Sequence, residues 1–561
     1  MSAAPALAPP ARANTGWQGL SVGLAIALLA TFALLPVGAL LVLSLFDAEG
    51  RFVALANFAA YLGTPALAES AWRSLRLAAL SASICTAIAF VYAYALTLSC
   101  LRWKPFFRGV ALLPLLAPSL LMAISLVYLF GNQGLLKGWF GIGSIYGETG
   151  IVIGSVLWTL PHALLILSTA LATTDGRLYE AAQTLGAGRW RIFFTVTLPA
   201  ARYGLVMALT VVFVLVVTDF GVPKVVGGQA SVLATDLYKQ VVGQQNFRMG
   251  AVVGVLLLLP AVLSFWVERS VGRRQSAALT VRATPYEPQP HAATDAALLL
   301  FCSAVAGVLL TVIGVAVFAS VATYWPYDLT PTLKNYDFDQ TDGGGWGTYG
   351  NSLWMASCTA VLGCAVAFTL AWLVDKPRRH GAARQLLHGM ATLPLAVPGL
   401  ALGLGYILFF NRPGNPLNGM YATMSILVVC TVVHFLAVAH LSLLTALRQL
   451  DREYELVAES LGVPAWRTAW RVHLPVCLPA LLEVAGYFFV NAMTTVSAVV
   501  FLYAPHTQLA SVAVLNMDDA GDVAPAAAMA VLIFATAAAA RLAFAGAGRL
   551  VLARTQRWRR R

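Results

Sequence analysis

Long apolar runs separated by short polar loops fill almost the whole chain. Twelve runs are predicted, centred on 18–45, 72–99, 107–131, 150–173, 200–222 and 248–268, then on 294–320, 350–374, 387–410, 421–447, 477–503 and 522–546. A helix needs roughly 20 apolar residues to cross a hydrocarbon core of about 30 Å. Lipid leaves an unpaired backbone N–H or C=O without a partner, so such spans must be helical. A β-barrel would instead show short alternating segments, and the sequence has none. The expected fold class is therefore all-α: a polytopic membrane protein of twelve transmembrane helices.

Composition agrees. Hydrophobic residues make up 59% of the 561 and charged residues 11%, against about 25% charged in soluble domains. The net charge of +12 would suggest a nucleic-acid partner in a soluble protein, but here it has a different distribution. Arg102, Lys104 and Arg108; Arg177, Arg189, Arg191 and Arg202; Arg269, Arg273, Arg274 and Arg282; Lys376, Arg378, Arg379 and Arg384; and Arg448, Arg452, Arg467 and Arg471 fall in alternate loops. The positive-inside rule puts those loops, and both termini, in the cytoplasm. The closing "RTQRWRRR" fits an anionic lipid surface, with no nucleic acid implied. The seven cysteines lie in or beside apolar runs without a CxxC pair and read as small buried hydrophobes. No cleavable signal is expected, because the first run is long enough to remain in the bilayer.

The chain repeats itself. Leu55, Asn57 and Ser74-Leu75 recur as Leu333, Asn335 and Ser352-Leu353, 278 residues later. "LPLLAP" at Leu113 recurs as "LPLAVP" at Leu393. Asp175, Leu185-Gly186, Trp190-Arg191 and Leu198-Pro199 recur 276 residues on, as Asp451, Leu461-Gly462, Trp466-Arg467 and Leu474-Pro475. Six spans per half is an even number, so the two six-helix repeats are parallel and related by an axis along the membrane normal. A central path between them is the natural route for a solute.

The most polar repeated stretch is "YEAAQTLGAGRWRIFFTVTLP", from Tyr179 to Pro199, with its counterpart "ELVAESLGVPAWRTAWRVHLP", from Glu455 to Pro475. Each predicts two short helices around a corner. Asp175 and Asp451 suit the first helix's cap. Gly186 and Gly462 suit a left-handed helix end. A second helix should start near Gly188 and, in the other copy, with Pro464 in its first position. Leu198-Pro199 and Leu474-Pro475 should break the chain before the next span. Two such elbows at equivalent places favour a docking surface for a two-fold partner.

These residues resemble the EAA loop of permease subunits in bacterial ATP-binding-cassette importers. Glu180, Ala181, Ala182, Gly186 and Pro199 match that motif, and so do Ala458, Gly462 and Pro475. Leu456 stands at the second glutamate position, with Glu455 one place earlier. The resemblance implies a fused pair of type I ABC permease (MetI-like) units. The corresponding domains are 1–69 (tail, first span, outer loop), 70–268 (unit 1), 269–293 (cytoplasmic linker), 294–347 (seventh span, outer loop), 348–546 (unit 2) and 547–561 (basic tail). It implies a multi-pass protein of the bacterial inner membrane that is not itself an enzyme. Catalytic residues, metal sites and cofactors are expected to be absent from the chain, which carries no GxxxxGK[ST]. ATP and Mg would belong to a partner ATPase dimer seated on the elbows, and a periplasmic solute-binding protein would deliver cargo.

Among fused permeases the chain is similar to those for ferric iron, thiamine and 2-aminoethylphosphonate. The stretches Thr218–Gly254 and Thr494–Ala530 resemble the last most. Thr218, Asp219, Asn491, Thr494 and Thr495, at the end of the fifth span of each half, are candidate pathway residues. Polar contact between helices is the competing role for them. An ion-coupled secondary transporter also has six plus six spans, but "SCLRWKPFFRG" (Ser99–Gly109) lacks its basic signature, and the doubled elbow would have no purpose there.

Overall fold

The computed structural model describes residues 16–47, 49–137, 144–278, 284, 286–376 and 381–555. The end of the basic tail (556–561), part of the linker including Arg282, and Arg378 and Arg379 after the eighth span lie outside the described residues. Among the described residues ten helices are long and apolar enough to cross a membrane. They are Trp17–Ser44, Pro65–Leu98, Glu148–Ala172, Arg189–Thr218 and Phe247–Glu268, then Ala292–Val321, Gly345–Asp375, Met424–Arg448, Ala465–Thr494 and Val523–Ala553. The two remaining predicted spans, the third and ninth, are not straight. Lys104–Leu116 meets Ser119–Phe130 at 102°, and Gly381–Ala396 meets Gly399–Phe410 at 112°. The repeated "LPLLAP"/"LPLAVP" makes both bends. Ala117 and Val397 are held extended by the prolines that follow them, and Pro118 and Pro398 are themselves extended. Counting each bent pair as one span gives the expected twelve.

The two halves repeat down to single hydrogen bonds. The Asn57 amide donates to the carbonyls of Ser44 and Phe46, and the Asn335 amide to those of Ser320 and Ala322. The Ser74 hydroxyl accepts from the Leu233 N–H at 2.7 Å, and that of Ser352 from the Ala510 N–H at 2.8 Å. The halves also exchange their first helices. The first span packs on the second half, where Phe32 stacks on Phe410 and the Tyr406 hydroxyl donates to the Phe32 carbonyl. The seventh span packs on the first half through the helix Ser119–Phe130. Each half therefore buries apolar surface that belongs to the other.

Both elbows lie at one end of this bundle. Trp17, at the start of the first span, stacks on Trp372 near the end of the eighth, with ring centroids 6.0 Å apart. Arg189 of the first elbow donates to Thr294 at the start of the seventh. The opposite end carries the two-stranded hairpin Ala322–Tyr324 and Asp328–Pro331. It also carries the short helices Gly221–Val226, Leu233–Tyr238 and Ala510–Ala520.

Candidate functional site: paired elbows at one end of the bundle

The first elbow opens with the helix Gly176–Thr184, capped by Asp175, whose carboxylate accepts the Arg177 N–H at 3.1 Å. That bond, with those from Thr284, holds the carboxyl below its ordinary pKa. The helix ends where Gly186 turns to φ +72°. The Gly186 N–H donates to the Gln183 carbonyl, and the Ala187 N–H to that of Ala182. The second elbow repeats the pattern: Gly462 has φ +66°, its N–H reaches the Glu459 carbonyl, and the Val463 N–H reaches that of Ala458. Both are Schellman closures, which require a residue tolerant of the left-handed region. Asp451 lies two places before its helix, Glu453–Ser460, and accepts the Glu453 N–H.

Beyond each corner the structure departs from expectation. Gly188 and Pro464 are both caps, so Pro464 stands just outside the helix. Leu198-Pro199 and Leu474-Pro475 do not break the chain. Each elbow's second helix runs on into the fifth span of its half, as Arg189–Thr218 and Ala465–Thr494. The prolines are tolerated because π-helical turns, Phe193–Thr197 and Ala469–His473, come immediately before them. A proline lacks an N–H and collides with the carbonyl four residues back, and a π turn relieves that local register. The second half of each elbow is thus rigidly continuous with a span.

The elbows present exposed apolar side chains away from the bundle. Leu185 is 85% exposed and Leu461 72%. Trp190, Leu178, Leu456 and Val457 are also exposed. Glu180, Ala181 and Gly186 share this open face, and no atom lies within 4 Å of where a Cβ on Gly186 or Gly462 would stand. Ala182 and Ala458 are half-buried, while Pro199 and Pro475 are exposed at the start of the spans.

The two elbows are held to the bundle by different chemistry. In the first, the buried Tyr179 hydroxyl donates to Thr197, and its ring lies 4.3 Å from that of Tyr286 in the linker. In the second, the equivalents are Glu455 and His473. Glu455 turns inward, its Oε1 2.7 Å from Lys376 Nζ and 3.6 Å from His473 Nε2. Trp372 Nε1–H donates to His473 Nδ1, so Nδ1 is the acceptor nitrogen and the ring's N–H points at Glu455. Lys376 also contacts Asp375 at 3.1 Å. Glu455 occupies the position of Tyr179, one place before the motif's glutamate position, and like Tyr179 it faces the bundle.

The candidate pathway residues sit at the far ends of the fifth spans. The Thr218 hydroxyl returns to the Val214 carbonyl and that of Thr494 to Val490, while the Asn491 amide donates to Tyr487. The buried Asp219 carboxylate accepts the N–H groups of Gly221 and Val222. Thr495 accepts the Ser511 hydroxyl at its carbonyl. Thr218, Asn491 and Thr494 thus bond back within their own helices, Thr495 ties its helix end to Ala510–Ala520, and Asp219 alone also meets the bend of the third span, through Ser119. At the same end Lys224 pairs with Asp519 of the other half at 2.8 Å. Beside this pair Tyr238 stacks on Phe501 across the same boundary. Among the described residues no group of three or more His, Cys, Asp or Glu is arranged to hold a metal ion.

Residues 100–277 and 367–547 each match the family model described as binding-protein-dependent transport system inner membrane component. The chain belongs to that family. The two matches show that it joins two copies of the type I ABC permease unit, each containing one elbow. The permease is 29% identical over 453 residues to the ferric transport system permease protein FbpB of Actinobacillus pleuropneumoniae, covering 77% of this chain and 64% of that protein. It is 28% identical over 425 residues to a ferric transport permease protein of Haemophilus influenzae, covering 71% of this chain and 64% of that protein. It is 26% identical over 490 residues to the thiamine transport system permease protein of Brucella abortus, covering 84% of this chain and 81% of that protein. The chain thus spans about two thirds of the length of the ferric relatives it matches.

Proposed function

We propose that this permease forms the membrane path of an ATP-driven importer in the bacterial inner membrane, with its elbow end in the cytoplasm. A separate ATPase dimer seats on the two elbows, and closure of that dimer moves the fifth spans to which the elbows are joined. A periplasmic binding protein presents the solute at the opposite end, where the Lys224–Asp519 pair and the Tyr238–Phe501 stack close the boundary between halves. ATP and Mg belong to the motor. Thr218, Asp219, Asn491, Thr494 and Thr495 act by shaping the path at the bends rather than by holding a fixed solute. The observation that carries this reading is the pair of exposed Leu–Gly corners, Leu185-Gly186 and Leu461-Gly462, at the same end of two repeats. Exposed large apolar residues beside positive charge suit a protein partner better than water.

The cargo proposed is 2-aminoethylphosphonate, on the patterns of Thr218–Gly254 and Thr494–Ala530. Ferric iron and thiamine are the alternatives that the relatives' names favour. Uptake of the three labelled solutes by cells carrying the complete system separates them. Docking is tested by co-purification of the ATPase with Leu185→Asp, Leu461→Asp and the double variant. Each single variant is expected to reduce recovery at least tenfold and the double variant to abolish it, with unchanged insertion of the permease. Full recovery with the double variant rejects the docking role.

A further inference from the structure

The second half contains an apolar cavity of about 730 Å³ between the first span, the eighth span, the second elbow and the eleventh and twelfth spans. Its wall along the eighth span runs from Ser357 to Trp372 through residues three or four apart, which is one helix face. Fifteen residues of helix cover about 22 Å, somewhat more than one leaflet of a hydrocarbon core about 30 Å thick. The cavity is open on the side where Val361 is 74% exposed.

The repeat explains why the cavity exists. In the first half Phe193 fills the equivalent space, its ring 6.1 Å from Phe90, 6.2 Å from Tyr94, 6.3 Å from Trp190 and 5.1 Å from Phe194. The counterparts of those four neighbours are Phe368, Trp372, Trp466 and Trp470, and all four line the cavity. The counterpart of Phe193 is Ala469, which lines it too. Every wall of the aromatic box is kept and the ring that fills it is missing. Trp17 closes the box at the elbow end. Four indoles therefore gather at one depth, beside Arg467, whose guanidinium lies 5.2 Å from the Trp466 ring, and Arg471. Indoles and arginines together mark a membrane's headgroup level, and the positive charges favour an anionic headgroup.

We propose that this cavity is a phospholipid site: one acyl chain of an anionic phospholipid from the leaflet at the elbow end occupies the space that Phe193 fills in the first half. Because Trp466, Ala469 and Trp470 belong to the second elbow, the lipid is a packing element of that elbow, and only of that one. The site stands independently of the cargo and the motor. The test reads lipid, not transport. Native mass spectrometry of the permease, extracted in mild detergent from phosphatidylglycerol-containing membranes, is expected to find one retained phosphatidylglycerol per wild-type chain. Ala469→Phe is expected to lose it, and Phe193→Ala to retain a second. If Ala469→Phe does not fold, Val361→Trp at the open rim is expected to give the same loss. Wild-type protein without retained phospholipid, detergent alone in its place, or equal retention in the filled variants overturns the proposal. Equal retention of phosphatidylcholine and phosphatidylglycerol from mixed membranes overturns the anionic assignment.

Discussion

Single residues set how each elbow is attached. Glu455 and Lys376 face each other in a setting where Lys376 is almost fully buried and Glu455 a quarter exposed. Removing one member of such a pair leaves the other desolvated without full compensation, which costs more than the intact pair contributes. Glu455→Gln is expected to lower the permease's stability by on the order of 1–2 kcal/mol. Tyr179→Phe, which removes one neutral hydrogen bond, is expected to cost about 1 kcal/mol or less. Thermal unfolding of the two variants in the same detergent checks the difference, and equal loss contradicts the ionic anchor. The exposed motif positions Glu180, Ala181 and Gly186 were legible in the sequence because a helix cap, a helical run and a left-handed glycine leave local marks. The inward role of Glu455 was not, because its partners Lys376 and His473 come from distant segments and only tertiary packing brings them together.

At the scale of elements, the bends of the third and ninth spans and the ends of the fifth spans fit each other reciprocally. A Cβ on Gly221 would collide with the Ser119 hydroxyl, and one on Gly399 with the Ser497 hydroxyl. Ser119 and Gly399 are repeat equivalents, as are Gly221 and Ser497, so each half has one serine and one glycine at this contact with their places exchanged. Gly221→Ser is therefore expected to destabilise by about 1–3 kcal/mol through overpacking. Ser119→Gly added to it is expected to restore most of the loss, because the double variant reproduces the second half's arrangement. Absence of rescue in thermal unfolding rejects the reciprocal fit. The hydrophobic pattern predicted that these elements exist but not their shape. A proline pair inside an apolar run reads as one span, and the bends of 102° and 112° appear only when the short helices dock. The opposite error occurred at Leu198-Pro199 and Leu474-Pro475. Proline suggested a break there, and a preceding π turn carried the helix through.

At the scale of the whole molecule, two parallel repeats exchange their first helices, share a boundary at one end and present both elbows at the other. The colinear repeat and the length of the apolar runs made the two parallel repeats and the common end of the elbows visible in the sequence. The helix exchange and the pairing of Lys224 with Asp519 were not visible, since neither leaves a periodic mark. The central claim is that both elbows face the same compartment and carry the same motor. It is tested most directly by placing Leu185→Cys and Leu461→Cys separately in a permease otherwise free of cysteine, and labelling with a membrane-impermeant maleimide. Intact cells are expected to leave both positions unlabelled. Inside-out vesicles stripped of the ATPase are expected to label both, and re-adding the ATPase to protect both. Labelling of either position from outside the cell, or protection of one elbow without the other, would contradict the account.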